Sequence, residues 1–412
     1  MKKGVSVISI NPVTAGRIKE AYKALPPESR KLVNHMLTVA HGHVSSRLIH
    51  GVIPKPHPTV SRVLYLAHSV LTDDNDGIIR ALERGAGYGK DVVGPDGAIW
   101  STGRYEELDL GWLGATAEWM EHLIIGNHPF STNPSVIEIP NACQIGIAGD
   151  FGTGPWRSSS NPAPSADVAT HMAFLRPNIT VHLGDTYYAG TDDEIRHNLL
   201  NAWPSGSIGK FALLGNHEIY SGADAYFDAI SSLPQKGCSY FALENDHWVV
   251  VGLDTSYHAD QIGLYLDGRL DDGQINFLRQ QIDKKKSAIV LTHHNGLSLD
   301  GTTNTGLWNQ VATAYPTPYP LYWYWGHVHA GVVYTDSIEI KPRCCGHGSL
   351  PHSSSSILRD SPVPRTKWFE SRLAHDPDIP ERVLNGFAML YLDGDSLEEV
   401  WYDENGGVAW HS

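Results

Sequence analysis

Cysteine is scarce in this chain of 412 residues: Cys143, Cys238, Cys344 and Cys345 are the whole set. They form neither a disulfide framework nor a Cys-x-x-Cys metal knuckle, so cross-links and a structural zinc do not carry the fold. Such sparse, unpatterned cysteine suits a reducing compartment. The adjacent Cys344-Cys345 pair reads as two small residues in or beside a strand rather than as a redox couple. Long apolar runs are missing too. No stretch approaches the ~18 residues of a membrane span. Val5 to Ile10 is too short and too interrupted for the apolar part of a signal peptide, and a cytoplasmic location is expected. Positive charge is in deficit, with Lys+Arg 31 against Asp+Glu 45 and a net charge of −14. That argues against broad binding to nucleic acid or an anionic membrane, which uses basic surface, while leaving room for a local basic pocket. There is no internal repeat.

What remains is an ordinary globular balance, 41% apolar and 18% charged, with an unusual supply of 22 histidines. Helical apolar spacing runs through 13–50 and 60–72, and again through 76–84 and 113–125. Gly85 to Gly103 is Gly-rich and reads as loop. Asn127 to Pro134 is breaker-rich and reads as a linker, which suggests a helical segment over 1–134 and a second domain over 135–412. From there short apolar runs recur at 145–148, 179–183, 211–214, 248–253, 288–291 and 322–325. Helical patterns such as Asp271 to Lys285 separate several of them. This alternation predicts a layered α/β domain with a largely buried sheet. Residues 387–392 and 397–402 read as a hairpin around Asp393-Gly394-Asp395, and 351–386 as a long surface loop.

Five short motifs follow one another in the second region: Gly149-Asp150-Phe151-Gly152, Gly184-Asp185-Thr186-Tyr187-Tyr188, Gly215-Asn216-His217-Glu218, Val290-Leu291-Thr292-His293 and Gly326-His327-Val328-His329. Most follow an apolar run directly, which puts their polar residues at the carboxyl ends of strands, where open α/β sheets place their sites. Asp, Tyr, Asn and His are together the right donors for two metal ions. Asp185 has two oxygens and can bridge a pair of cations. A phenol with an unperturbed pKa near ~10 binds metal well only as phenolate, so Tyr188 implies a strongly Lewis-acidic ion such as Fe(III). Asn216 offers a neutral amide oxygen. His217, beside it, suits proton donation to a leaving oxygen. His293 reads as a ligand, and His294 as a substrate contact or a support behind the ligands. His327 and His329 are two apart, so an extended segment turns both to one side. Asp-Phe-Gly also occurs in protein kinases, but no His-Arg-Asp loop accompanies it here. Gly85 to Lys90 lacks the spacing of a phosphate loop.

In order and spacing the five motifs resemble the calcineurin-like metallophosphoesterase superfamily, and most closely its purple acid phosphatase branch. That branch has Gly-Asp-x-Gly where most relatives have Asp-x-His, and Gly-Asp-x-x-Tyr at the second motif; Gly152 and Tyr188 stand at those places. The resemblance covers about residues 143–350. It implies a layered β-sandwich flanked by helices in an α/β/β/α order, here preceded by the mainly helical N-terminal segment. It also implies two sites. Asp150, Asp185, Tyr188 and His329 would hold Fe(III), and Asp185, Asn216, His293 and His327 would hold Fe(II), Zn(II) or Mn(II). His217 matches the family's substrate-facing histidine. The chain departs from the branch after Val-x-x-His, where His294-Asn295-Gly296 replaces a His-rich segment.

The expected chemistry is hydrolysis of a small phosphate monoester or diester by in-line attack of a metal-bound hydroxide, with ions ~3.5–4 Å apart clamping the phosphoryl group. Three alternatives are kept. One is an inactive interaction scaffold on the same fold, which predicts missing ligands. Another gives the N-terminal segment a partner-binding role beside a working enzyme. The third is a metal-dependent oxygenase built on two histidines and a carboxylate, which Asn216 and a bridging Asp185 fit less well.

Overall fold

The computed structural model describes residues 11–49, 60–73, 92–93, 99–100, 103–106, 109–158, 160–284, 286–315, 320–337, 340–351, 358 and 365–412. The chain divides into two compact units, Met1–Gly126 and Asn127–Ser412.

The first unit is built on helices Pro12–Ala24, Pro27–Ile49, Val60–Leu71 and Trp112–Ile125. The first begins where its sequence says it should. The Asn11 side chain accepts the Val13 N–H at 2.9 Å, and Pro12 takes the first helical position, where its missing N–H costs nothing. Ile18, Ala21, Leu66, Val70, Leu113 and Met120 are buried. Arg17 joins the first helix to the last through Glu118 at 2.9 Å and Glu121 at 2.8 Å. Tyr105, Trp112 and Trp119 are packed aromatics, Tyr105 lying edge-on to Trp112. The Gly-rich stretch expected as loop contains a short antiparallel pair, β1 Val92–Val93 with β2 Ile99–Trp100. The helix expected over 76–84 lies outside the described residues.

The second unit holds two sheets. One runs in the order β13 Thr366–Phe369, β11 Gly331–Tyr334, β12 Ile340–Cys345, β10 Leu321–Trp325, β9 Ser287–Thr292, β8 Trp248–Gly252, β7 Phe241–Glu244, β3 Ser135–Glu138. The other runs β16 Val408–His411, β15 Ser396–Asp403, β14 Gly386–Asp393, β4 Ala142–Ala148, β5 Ile179–His182, β6 Gly209–Ala212. Strands β4, β5 and β6 are mutually parallel, as are β8, β9, β10 and β12.

Alternation along each strand builds the layers, because neighbouring side chains point to opposite faces. Ile289, Leu291, Tyr322, Tyr324 and Cys345 meet Ile145, Ile147, Val181, Phe211 and Trp401 between the sheets. The intervening Ala288, Val290, Trp323, Trp325 and Cys344 turn outward, against Leu278 and Ile282 of helix Asp272–Ile282 and Leu307 and Val311 of helix Gly306–Ala314. On the far side helix Pro164–Phe174 comes so close that a side chain at Gly146 would strike Met172. Two covered faces per sheet explain why these strands read as unbroken apolar runs. All four cysteines are buried and free, the adjacent pair facing different layers. Residues 127–134, expected as a linker, pack on this unit: Phe130 stacks on Tyr240 and His128 on Phe227. Among the described residues no helix is long and apolar enough to cross a membrane.

Candidate metal centre

Strands β4, β5, β6, β9 and β10 all release their chains at one edge of the two sheets. Asp150, Asp185, Asn216, His293 and His327 follow their last residues directly or within a few positions. Glycines before Asp150, Asp185, Asn216 and His327 allow these turns to crowd. A Cβ at Gly215 would stand 2.2 Å from Asp185 Oδ1, and Gly184 itself adopts φ +102°. Asp150, Asp185, His327 and His329 are left-handed, with φ of 57°, 74°, 70° and 47°. Such conformations cost about 1–3 kcal/mol each and persist where the surroundings over-determine them, often at functional sites. Four in one cluster single out this edge of the fold.

Two groups of donors emerge. In the first, the hydroxyl of Tyr187 lies 2.9 Å from Asp150 Oδ1, 3.2 Å from Asp185 Oδ2 and 3.2 Å from His329 Nε2. In the second, Asn216 Oδ1 lies 3.0 Å from both His293 Nε2 and His327 Nδ1, and Asp185 Oδ1 is 3.3 Å from His293 Nε2. His327 Nδ1 and His293 Nε2 are themselves 3.3 Å apart. The tautomers follow from what the far sides of these rings touch. His293 Nδ1 faces the Leu183 carbonyl at 2.9 Å and must carry the hydrogen there. The His327 ring is hydrogen-bonded to the Leu266 carbonyl. An amide oxygen, a carboxylate oxygen and two unprotonated ring nitrogens therefore converge with no hydrogen to share. Lone pairs so placed repel one another unless a cation sits between them. The donor set fits a metal.

Electrostatics point the same way. Among the described residues the ion-pair partners of Asp150 and Asp185 are imidazoles alone. Burial pushes both carboxyls up from the usual range, and for Asp185 the neighbouring Asp150 charge adds to it. Burial pushes His293 and His327 well down, with neighbouring imidazoles adding to the effect. At neutral pH the rings are already deprotonated, and a proton on either raised carboxyl competes with a cation. Metal uptake is therefore expected to release protons and to strengthen as pH rises through the raised carboxyl range. Calorimetric titration with Zn(II) in buffers of different ionisation enthalpy checks this. A buffer-independent enthalpy contradicts it.

Of the residues singled out from the sequence, Asp150, Asp185, Asn216, His293, His327 and His329 come together here. The phenol joined to the carboxylates is that of Tyr187, whereas the expectation was Tyr188. Thr186 forms a parallel bridge with Gly152, and beside it the Tyr187 hydroxyl reaches back to Asp185 Oδ2. Tyr188 offers its carbonyl to His217 Nδ1 at 2.7 Å. His217 Nε2 then stands 3.9 Å from Asp185 Oδ2, outside both donor groups. Burial lowers this imidazole to about 3, against a smaller raising effect of the Tyr188 carbonyl. His294 has both ring nitrogens engaged, Nδ1 by Thr255 Oγ1 at 2.8 Å and Nε2 by the Tyr265 carbonyl at 2.7 Å. Its ring packs 4.5 Å from that of His327, so it acts here as a wall of the centre. Glu218 was not singled out from the sequence. Its Oε2 accepts the N–H groups of Gly215 and Asp185, at 2.8 and 3.2 Å, and ties the second motif to the third. Its place in Gly-Asn-His-Glu was the available signal.

Comparison with known proteins bears on the class. Residues 143–331 match the family model described as calcineurin-like phosphoesterase, and every residue of both donor groups lies inside that stretch. Among solved structures, the crystal structure of a dimetal phosphatase from Danio rerio is similar at 14% identity and a TM-score of 0.40, over 63% of this chain and 95% of that one. No curated protein matches the chain. The family match supports the calcineurin-like superfamily for residues 143–331 and a metal-dependent phosphoesterase as the class of protein.

Proposed function

We propose that the chain is a two-metal phosphoesterase that hydrolyses small phosphate monoesters or diesters. The observation that carries this reading is the convergence of unshared lone pairs from Asp185, Asn216, His293 and His327, beside a second group that shares Asp185. Asp150, Asp185, Tyr187 and His329 would hold one ion; Asp185, Asn216, His293 and His327 would hold the other. Ions bound there would polarise the phosphoryl oxygens and lower the pKa of a water.

The chain's own residues do the rest. The two carboxylates offset the charge of the ions. Burial keeps bulk water from screening these interactions. His217 has its Nδ1–H committed to the Tyr188 carbonyl, so Nε2 is the nitrogen that can take up and pass on a proton. In the free protein that nitrogen is unprotonated; the negative charge of a bound phosphate raises its affinity for a proton. The proton then passes to the leaving oxygen.

Hydrolysis of p-nitrophenyl phosphate and of its bis-ester, by metal-loaded and chelator-stripped protein, tests the proposal. Turnover of neither ester with metal present sinks it. We assign the finer, purple acid phosphatase-like character to Fe(III) beside a tyrosinate, with Fe(II), Zn(II) or Mn(II) as the second ion. The geometry favours Tyr187 over Tyr188 as that ligand. Protein reconstituted with ferric iron and zinc is expected to show a visible charge-transfer band that Tyr187→Phe abolishes and Tyr188→Phe retains. The reverse pattern returns the role to Tyr188. No band with two ions bound removes ferric tyrosinate from the reading.

A further inference from the structure

Asn216 is a ligand candidate with a built-in ambiguity. Its side-chain amide is nearly symmetric in shape, yet only the oxygen donates to a metal. Rotated by half a turn, it would present two N–H groups to the centre instead. Something must fix its orientation. The Asn216 Nδ2 donates to the hydroxyl of Tyr220 at 2.9 Å, and that hydroxyl donates to the carbonyl of Leu264 at 3.3 Å. A carbonyl can only accept. The Tyr220 proton must therefore point at Leu264, and the free lone pair of the phenol must face Asn216. The chain of bonds has one direction, and that direction leaves Oδ1 toward His293 and His327. Tyr220 is buried, so water is not at hand to substitute.

The far anchor is a strained turn. Leu264 and Tyr265 are consecutive left-handed residues, with φ of 57° and 53°, and neither is glycine. The turn presents carbonyls to two different supports: Leu264 to Tyr220 and Tyr265 to His294 Nε2. The next residue, Leu266, meets His327. Three successive carbonyls of one loop thus orient the surroundings of one donor group, the one made by Asp185, Asn216, His293 and His327.

We propose that Tyr220, held by the Leu264 carbonyl, is a positioning residue that sets the amide orientation of Asn216 and so the affinity of the second metal site. This rests on the two-metal reading above. Tyr220→Phe keeps the ring, which lies edge-on to His217, and removes only the oxygen. Second-site affinity, measured by competition with a chromophoric chelator, should fall by about 10–100-fold, the usual cost of losing such an outer support. The other ion should stay bound by metal analysis. Asn216→Asp supplies the control, because a carboxylate has two equivalent oxygens and no orientation to lose. In that background Tyr220→Phe should change second-site affinity by less than about twofold, near the limit of ordinary additivity. Equal loss in both backgrounds overturns the lock and makes Tyr220 a general support. No loss in the native background also overturns it. Failure of the wild-type protein to hold a second ion overturns the two-metal reading and the lock with it, whereas two ions held equally well by wild type and Tyr220→Phe overturn the lock alone.

Discussion

His217→Ala is expected to lower kcat for phosphate ester hydrolysis by about 10²–10⁴-fold while both metal ions stay bound. The separation of chemistry from metal binding follows from how this residue is built in. Its ring belongs to neither donor group, since Nδ1 is used by the Tyr188 carbonyl and Nε2 keeps 3.9 Å from Asp185. Its backbone N–H, which donates to Asp185 Oδ1 at 3.1 Å, survives the change to alanine. What is lost is a proton carrier at Nε2, with edge-on contacts to Tyr187 and Tyr220. A substrate with a very acidic leaving group needs no proton and should be hurt far less than an alkyl ester. Steady-state rates with both esters, together with metal analysis of the variant, decide the matter. Near-native turnover of the alkyl ester with both ions in place would falsify the role, and loss of an ion would make His217 a structural support.

Much of this centre was legible in the sequence because its donors are local. Asp150, Asp185, Asn216 and His327 stand just past a buried strand and beside a glycine, His293 directly follows a strand, and His329 repeats His327 two residues on; these signals are short-range. Asp150, Asp185, Asn216, His293, His327 and His329 could all be picked out on that basis. The parts that were not legible depend on pairing between distant segments. The Tyr187 hydroxyl reaches Asp150 and His329, contacts between distant segments that spacing within the motif does not encode. The orientation of His294 is set by Thr255 and Tyr265, far away in the chain.

The same division runs through the fold. The parallel strands β5, β6, β8, β9 and β10 announced themselves as apolar runs because both their faces are covered. Strand β3 alternates half-buried and exposed positions at a sheet edge, and β13 lies inside a stretch rich in Ser, Pro and charge. Neither has the composition of a core strand, and each is held by its neighbour's ladder: β3 by β7 and β13 by β11. Such strands owe their existence to the sheet they join, as expected where context outweighs intrinsic preference.

Asp185→Asn is expected to empty both metal sites, where single-site changes empty one. Asp185 is the residue common to the two donor groups, with one oxygen in each. Oδ1 lies 3.3 Å from His293 Nε2, and Oδ2 lies 3.2 Å from the Tyr187 hydroxyl. An asparagine in its place keeps an oxygen for at most one group and turns an amide N–H₂ on the other. It also removes one of the two buried negative charges that offset the cations, at a point 1% exposed where water screens little. Asp150→Asn removes a donor from the group with Tyr187 and His329 and reaches the other group only through the His327 N–H that Asp150 Oδ2 accepts, whereas Asn216→Ala removes a donor from the group with His293 and His327. The loss at Asp185 should therefore exceed the about 10–100-fold weakening typical of outer-shell changes, and at both sites together. Metal content after dialysis, measured on the three variants side by side, reads this out. Two ions retained in Asp185→Asn would mean that the donor groups do not share this carboxylate, and the centre would then be two independent sites rather than one bridged pair.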